Sequence, residues 1–228
     1  MTKEISFKKT VKFAGLFYAL IMIDALATMI FIDPYFTSDT FRMNLTQHES
    51  LFRVGMTADI VMYVMVVFLA VLLYFILKRI NKQLATFGMF FRIVEGILGT
   101  VGIIIGGIAP LAFLKGGAAL NDVQIQSTLD FFLRTESAVM EIVLIFMGIG
   151  GILFFYLFLK SKLVPTFWSI WGIITYTTML ILSALKILFP EIPDVVTVAF
   201  YTPGSFFELF FGFWLLFKGV KFIPSEEN

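Results

Sequence analysis

The sequence predicts an all-α, polytopic membrane protein with six transmembrane helices and with both termini in the cytoplasm. Three observations predict this. Hydrophobic residues make up 59% of the chain and charged residues only 14%, against about 25% charged in an ordinary soluble protein. Six apolar stretches each approach the ~20 residues that cross a bilayer. Lysine and arginine concentrate on alternate connections between these stretches, as the positive-inside rule describes.

The six predicted spans form one membrane domain over residues 1–228. Lys8 and Lys9 precede the first span, as basic residues precede the core of a signal peptide. However, Asp24 interrupts this apolar run, which then continues to Ile32, so we predict a retained helix. The predicted spans are about 13–32, 54–77, 86–110, 137–159, 167–189 and 199–217.

Charged residues in the connections predict the orientation. The inner segments carry the basic clusters Lys8–Lys12 and Lys78–Lys82, together with Lys160 and Lys162. The outer loops are acidic, with Asp33, Asp39, Glu49, Asp122, Asp130, Glu136, Glu191 and Asp194. The basic clusters would contact anionic lipid headgroups at the cytoplasmic face. The predicted location is therefore a bacterial cytoplasmic (inner) membrane that the chain crosses several times.

Capping signals predict two helix starts. Thr46-Gln-His-Glu49 has the pattern of a capping box and predicts that the second helix begins slightly before its apolar run. Asn121-Asp122 is expected to cap a helix that runs through Phe131 and Phe132 into the fourth span. Short inner turns predict that the second and third helices, and the fourth and fifth, are antiparallel neighbours.

Several classes of chemistry are excluded by residue counts. The chain has no cysteine and a single histidine, His48, in an outer loop. Thiolate sites, bis-histidine haem ligation and zinc-protease motifs each need more. With a net charge of +1 and no basic patch interleaved with aromatic residues, nucleic-acid binding is not expected either. We therefore predict no cofactor, no metal site and no catalytic residue.

Ionisable residues inside the spans are the candidates for function. Each costs on the order of 2.5–3.5 kcal/mol at the centre of a membrane helix, so each should face a partner or a wet cavity. In the third helix, Arg92 and Glu95 share one face with a stripe of glycines, which favours close approach of a neighbouring helix. The glycines of this stripe are Gly88, Gly99, Gly102 and Gly106. The candidates are Asp24, Asp59, Arg92, Glu95, Glu141, Lys186 and Glu208.

Carboxylates outnumber cations among these candidates, and bare charges are not stable in hydrocarbon. Some carboxylates must therefore be protonated, hydrated or paired with an external cation. We predict a polar cavity entered from the outer face. Asp24, Arg92 and Glu95 would form its floor, and Asp59, Glu141 and Lys186 would lie nearer its mouth.

Two of these groupings have a purely structural alternative. Arg92 and Glu95 are one helical turn apart, and their only role would then be to neutralise each other. Glu141 and Lys186 match in depth on adjacent helices, which favours an ion pair that fixes the fold.

The single acids have alternatives too. Asp59 would be an interfacial acid favoured by the helix dipole. Glu208 stands three residues after Ser205 and five after Pro203, so it would complete a capping box at the start of a short sixth helix. For Asp24 the structural alternative is weakest, because no cation lies near its level on the same helix.

Five short motifs, spread from the second span to the end of the sixth, carry a family resemblance. They are Leu51-Phe52-Arg53-Val54-Gly55, Ala58-Asp59, Phe91-Arg92-Ile93-Val94-Glu95, Leu163-Val164-Pro165, and Glu208 with Trp214–Val220. In these motifs, their order and their spacing, the sequence resembles the bacterial integral-membrane family catalogued as domain of unknown function 4386, from about residue 10 to 222. The resemblance implies six helices in a bacterial cytoplasmic membrane and supplies no activity. Asp59, Arg92, Glu95 and Glu208 match the polar positions of the family.

Three functions are compatible with the sequence. The first is binding or transport of a small cation, a proton or a lipid headgroup in the polar cavity. The second is a non-catalytic accessory role, in which glycine stripes bind a partner helix or a second copy of the chain and the buried charges fix the packing. The third is an intramembrane lipid-modifying enzyme with Arg92 as an anion clamp, which the lack of a nucleophile or metal set disfavours.

Overall fold

The computed structural model describes residues 2–37, 40–116 and 120–221, and this part of the chain is helical without any strand. A 3-10 helix (Asp33–Tyr35) follows the first α-helix, and a π-helix (Ile104–Ile108) joins the fourth to the fifth. The α-helices are α1 (Thr2–Phe31), α2 (Phe41–Gln47), α3 (Glu49–Leu77), α4 (Lys82–Ile103), α5 (Ala109–Gly116), α6 (Asp122–Ser161), α7 (Thr166–Leu188) and α8 (Asp194–Phe217).

Six helical segments of the described chain are long and apolar enough to cross a membrane, which confirms the predicted number. They are α1, α3, the continuous run from α4 to α5, α6, α7 and α8. Several extend beyond the predicted apolar stretches because polar turns continue the helix past the hydrocarbon. The clearest case is α6, which begins at Asp122, whereas the apolar run begins only at residue 137.

The start of α6 confirms the predicted cap. The Asn121 side chain accepts a hydrogen bond from the Gln124 backbone N–H at 2.9 Å, and the Gln124 side chain accepts one from the Asn121 N–H at 3.1 Å. These reciprocal bonds satisfy two donors that a helix N-terminus otherwise leaves unpaired.

The predicted capping box at Thr46–Glu49 is wrong. Residues 41–47 form a short helix of their own, α2, and the Thr46 hydroxyl donates back to the carbonyl of Arg42 at 3.0 Å. Thr46 is therefore a last-turn residue of α2 and does not cap the next helix. His48 separates the two helices, and α3 begins at Glu49 without a side-chain cap.

The six long helices form a closed ring in the order in which they occur along the chain. Each packs against the next, and α8 returns to pack against α1. The neighbours joined by short turns, α3 with α4 and α6 with α7, are those that the sequence predicts. Ring closure leaves every helix with one inward face and one outward face.

Aromatic side chains fill the ring, and aliphatic and aromatic side chains also cover its outer surface. Phe154, Phe155, Tyr176, Phe207 and Phe211 are fully buried. Outward-facing residues such as Phe68, Phe87 and Ile174 are exposed, as expected where acyl chains replace water.

Glycine pairs bring α1 and α8 into backbone contact. A Cβ built on Gly15 would lie 2.4 Å from the backbone nitrogen of Leu216 and 2.7 Å from the carbonyl oxygen of Gly212. Backbone atoms cannot rotate away as a side chain can, so this crossing requires glycine.

Gly15→Ala should therefore lower the stability of the protein. Overpacking of this kind costs about 1–3 kcal/mol, which corresponds to a fall of roughly 5 °C in the apparent unfolding midpoint for a chain of this size. The measurement is thermal unfolding in detergent. Gly116→Ala is the control, since its Cβ would meet nothing within 4 Å. Equal midpoints for the two variants would contradict the proposed crossing.

The orientation of the termini stays a prediction from the loop charges, and the absence of cysteine makes it directly testable. Lys160→Cys and Glu191→Cys place single thiols at exposed positions on opposite ends of the ring. A membrane-impermeant maleimide should label Glu191→Cys on intact cells, and Lys160→Cys only after permeabilisation. The reverse pattern would show that the termini face outward.

Candidate functional site

The structure distributes the predicted site residues over four places. Three of them meet at the centre of the ring, two form a separate ion pair, and the remaining two lie in different surface depressions. The central group is Arg92, Glu95 and Glu208; the ion pair is Glu141 with Lys186; Asp59 lines a cavity and Asp24 an outer groove.

The central group is built around an ion pair on α4. Arg92 Nη1 lies 2.9 Å from Glu95 Oε2, and the two side chains are only 3% and 4% exposed. The contact is an ion pair, and neither of these two atoms has a hydrogen-bond partner in the described chain. The pairing that their spacing predicts is thus present, while each group keeps unused hydrogen-bonding capacity.

Glu208 and two tyrosines complete this group. Glu208 lies on α8, is 4% exposed, and accepts a hydrogen bond from the Tyr176 hydroxyl of α7. The hydroxyl oxygens of Tyr176 and Tyr18, from α1, are 3.5 Å apart. Arg92 interacts electrostatically with all three residues as well as with Glu95. We call Tyr18, Arg92, Glu95, Tyr176 and Glu208 the buried cluster.

Glycines of α6 make room for the buried cluster. A Cβ on Gly151 would lie 2.3 Å from the ring of Tyr176, and a Cβ on Gly150 would lie 2.9 Å from Cγ of Arg92. The Gly150-Gly151 pair therefore determines how far a phenol from α7 and a guanidinium from α4 reach into the ring.

The capping-box alternative for Glu208 is wrong. Helix α8 begins at Asp194 and continues through Pro203, so Glu208 lies in its interior. Ser205 is also interior, and its hydroxyl donates to the carbonyl of Tyr201 at 3.5 Å. Membrane helices tolerate proline in this way because neighbouring groups satisfy the carbonyl that proline leaves unpaired.

Glu141 and Lys186 form a separate ion pair, as predicted for a role in fixing the fold. Lys186 Nζ lies 2.6 Å from Glu141 Oε1, with the side chains 20% and 11% exposed. The Tyr201 hydroxyl lies 2.7 Å from Ser183 Oγ and donates to Glu141 at 3.4 Å. Since these groups come from α6, α7 and α8, the pair joins three helices.

A cavity of about 370 Å³ opens at the predicted outer end of the ring. It is lined by α1, α3, α6, the α4–π-helix segment and the connection that contains Asp33. Three carboxylates line it: Asp33 exposed at the rim, and Asp59 and Glu136 half-buried. No lysine, arginine or histidine is among its lining residues. Within the described chain, none of the three carboxylates has an ion-pair partner. We call this depression the outer cavity.

Aromatic rings form one wall of the outer cavity and its floor. The ring centroid of Phe52 is 4.8 Å from that of Phe36 and 5.7 Å from that of Phe41. At the floor, the ring of Tyr63 lies directly against Gly99, whose Cβ would be 2.1 Å away. Carboxylates and aromatic faces together form a surface that attracts organic cations.

The arrangement of carboxylates does not suit a metal ion. Among the described residues there is no group of three or more His, Cys, Asp or Glu side chains that could hold one. Calcium and magnesium sites require several oxygen ligands to converge within 2.6 Å of one point. The acids of the outer cavity instead face it from different helices.

Sequence reasoning missed Asp33 and Glu136 as site residues because both fall among the acids of the predicted outer loops. A signal for Glu136 was available in the third span. Gly106 belongs to its glycine stripe, and a Cβ there would lie 2.4 Å from Cγ of Glu136. Gly106 is part of the π-helix, a distortion that occurs frequently at functional sites.

Asp24 does not join Arg92 and Glu95. It lies half-buried in an open groove between α1 and α3, beside Thr57 and Ala58, and its Oδ2 has no hydrogen-bond partner in the described chain. Helical geometry explains the difference. With about 100° of rotation per residue, Asp24 is about 120° around α1 from Tyr18, which faces the ring interior.

Arg92→Met should destabilise the protein strongly, because it leaves the buried carboxylate of Glu95 without its cation. Removing one partner of a buried pair costs about 3–5 kcal/mol. Arg92→Met with Glu95→Met should recover part of that loss, since no unpaired charge then stays on α4. Thermal unfolding in detergent measures both. Arg53→Met is the control, because its pair with Glu49 is on the surface and should be worth less than about 1 kcal/mol. A double variant as unstable as Arg92→Met alone would contradict the assignment.

Comparison with known proteins gives a family and no activity. The family described as Domain of unknown function (DUF4386) matches residues 13–219. No curated protein and no solved structure matches the chain. The match covers all six long helices in whole or in large part, together with the outer cavity and the buried cluster. The chain therefore belongs to this family of unknown function.

Proposed function

We propose that the protein is an integral membrane protein of a bacterial cytoplasmic membrane that binds a small organic cation in the outer cavity. One observation carries the proposal. Three carboxylates, Asp33, Asp59 and Glu136, line a cavity whose lining includes no basic side chain. Negative charges gathered on low-dielectric walls attract a cation from solution and repel anions.

The apolar part of the lining favours an organic cation. Phe36, Phe52 and Tyr63 offer aromatic faces, and a quaternary or primary ammonium over such a face gains about 0.5–2 kcal/mol. Met56 and Met140 also line the cavity and adapt to ligands of irregular shape. A bare metal ion would leave most of this surface without a partner.

The depth of Asp59 makes it the principal anchor. It lies on α3 one helical turn above Tyr63, half-buried between the exposed Asp33 and the floor. Asp59 interacts electrostatically with Asp24 and with Asp33, and Glu136 interacts with Asp33 and with Asp59. A single bound cation would relieve the repulsion among the three acids at once.

A second candidate function is supported by the groove that contains Asp24. A half-buried carboxylate that lines an open groove on the outward face of α1 and α3 would be stabilised by a hydrogen-bond donor from another transmembrane helix. This is the accessory function, with a partner helix or a second copy of the chain. The enzyme alternative has less support, because Arg92 is buried and lines neither depression.

Binding of radiolabelled choline to the purified protein in nanodiscs tests the proposal. Wild-type protein should bind choline, and benzyltrimethylammonium should compete. The neutral isostere 3,3-dimethylbutan-1-ol should not, because it keeps the shape and lacks the charge. Asp59→Asn should weaken binding about tenfold, equivalent to about 1.4 kcal/mol, since it removes one charge from the cavity and keeps its shape.

Glu191→Gln is the matched control, because Glu191 is an exposed acid at the same end of the ring and does not line the outer cavity. It should bind choline like the wild type. The proposal would be contradicted if the alcohol competed with choline as well as benzyltrimethylammonium does, or if Asp59→Asn and Glu191→Gln changed the affinity for choline equally.

A further inference from the structure

The buried cluster has more negative than positive groups. Arg92 supplies one positive charge, and Glu95 and Glu208 supply two carboxyl groups, all with side chains that are nearly inaccessible. Arginine does not lose its proton in proteins. With both carboxyls ionised, the cluster would hold a net negative charge inside a ring of aromatic side chains, where an uncompensated charge is very costly.

We infer that the buried cluster is a proton-binding site, with the proton on Glu208, and that this proton is released when a cation occupies the outer cavity. The release of the proton on cation binding rests on the proposed function, whereas the proton-binding site does not. The ligand of the buried site is the proton itself, and the exchange is one proton for one monovalent cation. In the step, the O–H bond of Glu208 breaks, the proton leaves to water, and the charge lost is replaced by the bound cation.

Pairing geometry places the proton on Glu208. Glu95 lies in direct contact with the guanidinium of Arg92, which stabilises its ionised form. Glu208 is held instead by a neutral hydroxyl, that of Tyr176. An ionised Glu208 would therefore lack a counterion in contact, whereas a protonated one needs none.

The two tyrosines can accommodate either form of Glu208. When Glu208 is ionised, Tyr176 donates to it, and the Tyr18 hydroxyl, 3.5 Å away, can donate to Tyr176. When Glu208 is protonated, its own O–H donates to Tyr176, and Tyr176 turns its proton toward Tyr18. Hydroxyl protons reorient without movement of heavy atoms, so a proton can bind and leave while the helices stay in place.

The groups that face Glu208 come from three helices besides α8. Tyr176 reaches it from α7, Arg92 and Glu95 from α4, and Tyr18 from α1. Helix α6 contributes Gly150 and Gly151 to this region and no titratable side chain. Arg92 is therefore the single cation of the described chain in the cluster. Tyrosine and arginine ordinarily titrate only above about pH 10, so the two glutamates are the groups of the cluster that exchange a proton below that range.

Tyr63 connects the buried cluster to the outer cavity. It forms the cavity floor and interacts electrostatically with Asp59 and Glu136 above and with Glu95 below. Its ring lies against Gly99, one helical turn from Glu95 on α4. A cation beside Asp59 is thus separated from the buried cluster by a single layer of side chain.

This proximity determines the sign of the coupling. A cation in the outer cavity makes the positive charge of a proton on Glu208 less favourable, so cation binding promotes release of that proton. By linkage, a rise in pH must tighten cation binding by the same factor. We expect a factor of about ten between the protonated and the ionised form of Glu208.

The test uses the full-length protein in nanodiscs, with choline as the probe and two independent measurements. In weakly buffered solution with pyranine as pH indicator, choline should release protons from the wild type, and its affinity should rise about tenfold as pH is raised. Infrared difference spectra between acidic and alkaline pH, taken without choline, should show the carbonyl stretch of a protonated buried carboxyl.

Glu208→Gln keeps the shape and the hydrogen bond to Tyr176, and should still bind choline. It should lose the part of the infrared band that Glu208 contributes, and its proton release and the pH dependence of its affinity should fall to what Asp59 and Glu136 contribute beside the cation itself. Glu141→Gln is the control, since Glu141 belongs to the separate ion pair with Lys186, and should keep all three.

The outcomes separate the inference from the proposed function. Choline binding with equal proton release from the wild type and from Glu208→Gln would overturn the coupling and leave the cation site intact. An absent carboxyl band, or one that is undiminished in Glu208→Gln, would overturn the proton site whether or not choline binds. A band that Glu208→Gln diminishes, with no choline binding, would support the proton site and refute both the cation site and its coupling.

Discussion

The contact between Arg92 and Glu95 constrains the rest of the ring, because a guanidinium cannot shed its charge by losing a proton. Within a membrane span, such a side chain faces the interior of the helix bundle and pairs with a group of opposite charge. Arg92 therefore has to face inward, and α4 is oriented by that requirement. Glu208 then enters from α8 on the opposite side. Gly150 and Gly151 in α6 are the small residues that let these long side chains meet.

The acids inside the spans follow two different solutions to the same energetic problem. Glu95, Glu141 and Glu208 are buried and partnered by arginine, lysine or tyrosine from the same or a neighbouring helix. Asp59 and Glu136 have no such partner in the described chain and keep access to the outer cavity instead. In the function that we propose, a bound cation compensates their charge. That difference separates the groups that hold the fold together from those that are free to bind a ligand.

Hydropathy predicted the number of spans, and short turns predicted two of the neighbouring pairs, α3 with α4 and α6 with α7, because these features follow from length, polarity and connection length. The same reasoning failed where two local patterns competed. Ser205 and Glu208 after Pro203 have the spacing of a helix start. In the structure, however, α8 is continuous through Pro203, and Glu208 binds Tyr176 instead of capping a helix. Glu136 was assigned to a loop because hydropathy marks where lipid contact begins, whereas α6 begins several turns earlier at a capped polar segment. Asp24 illustrates a third limit, since depth along a helix does not fix the direction in which a side chain points.

Helix α4 and its continuation unite the two sites. The glycine stripe of α4 is expected to let helices pack closely. In the structure, the inward face of α4 also contributes to one site near the outer end of the ring and to another at its centre. Gly99, Gly102 and Gly106 line the outer cavity, while Arg92 and Glu95, on the same face, belong to the buried cluster below. Side chains at the glycine positions would fill the cavity, and Tyr63 could not rest against Gly99 as its floor. One inward face thus holds a permanent charge at the centre and leaves an acidic, open space above it. Any electrostatic change in that space is felt by the groups below, because only the Tyr63 layer separates them.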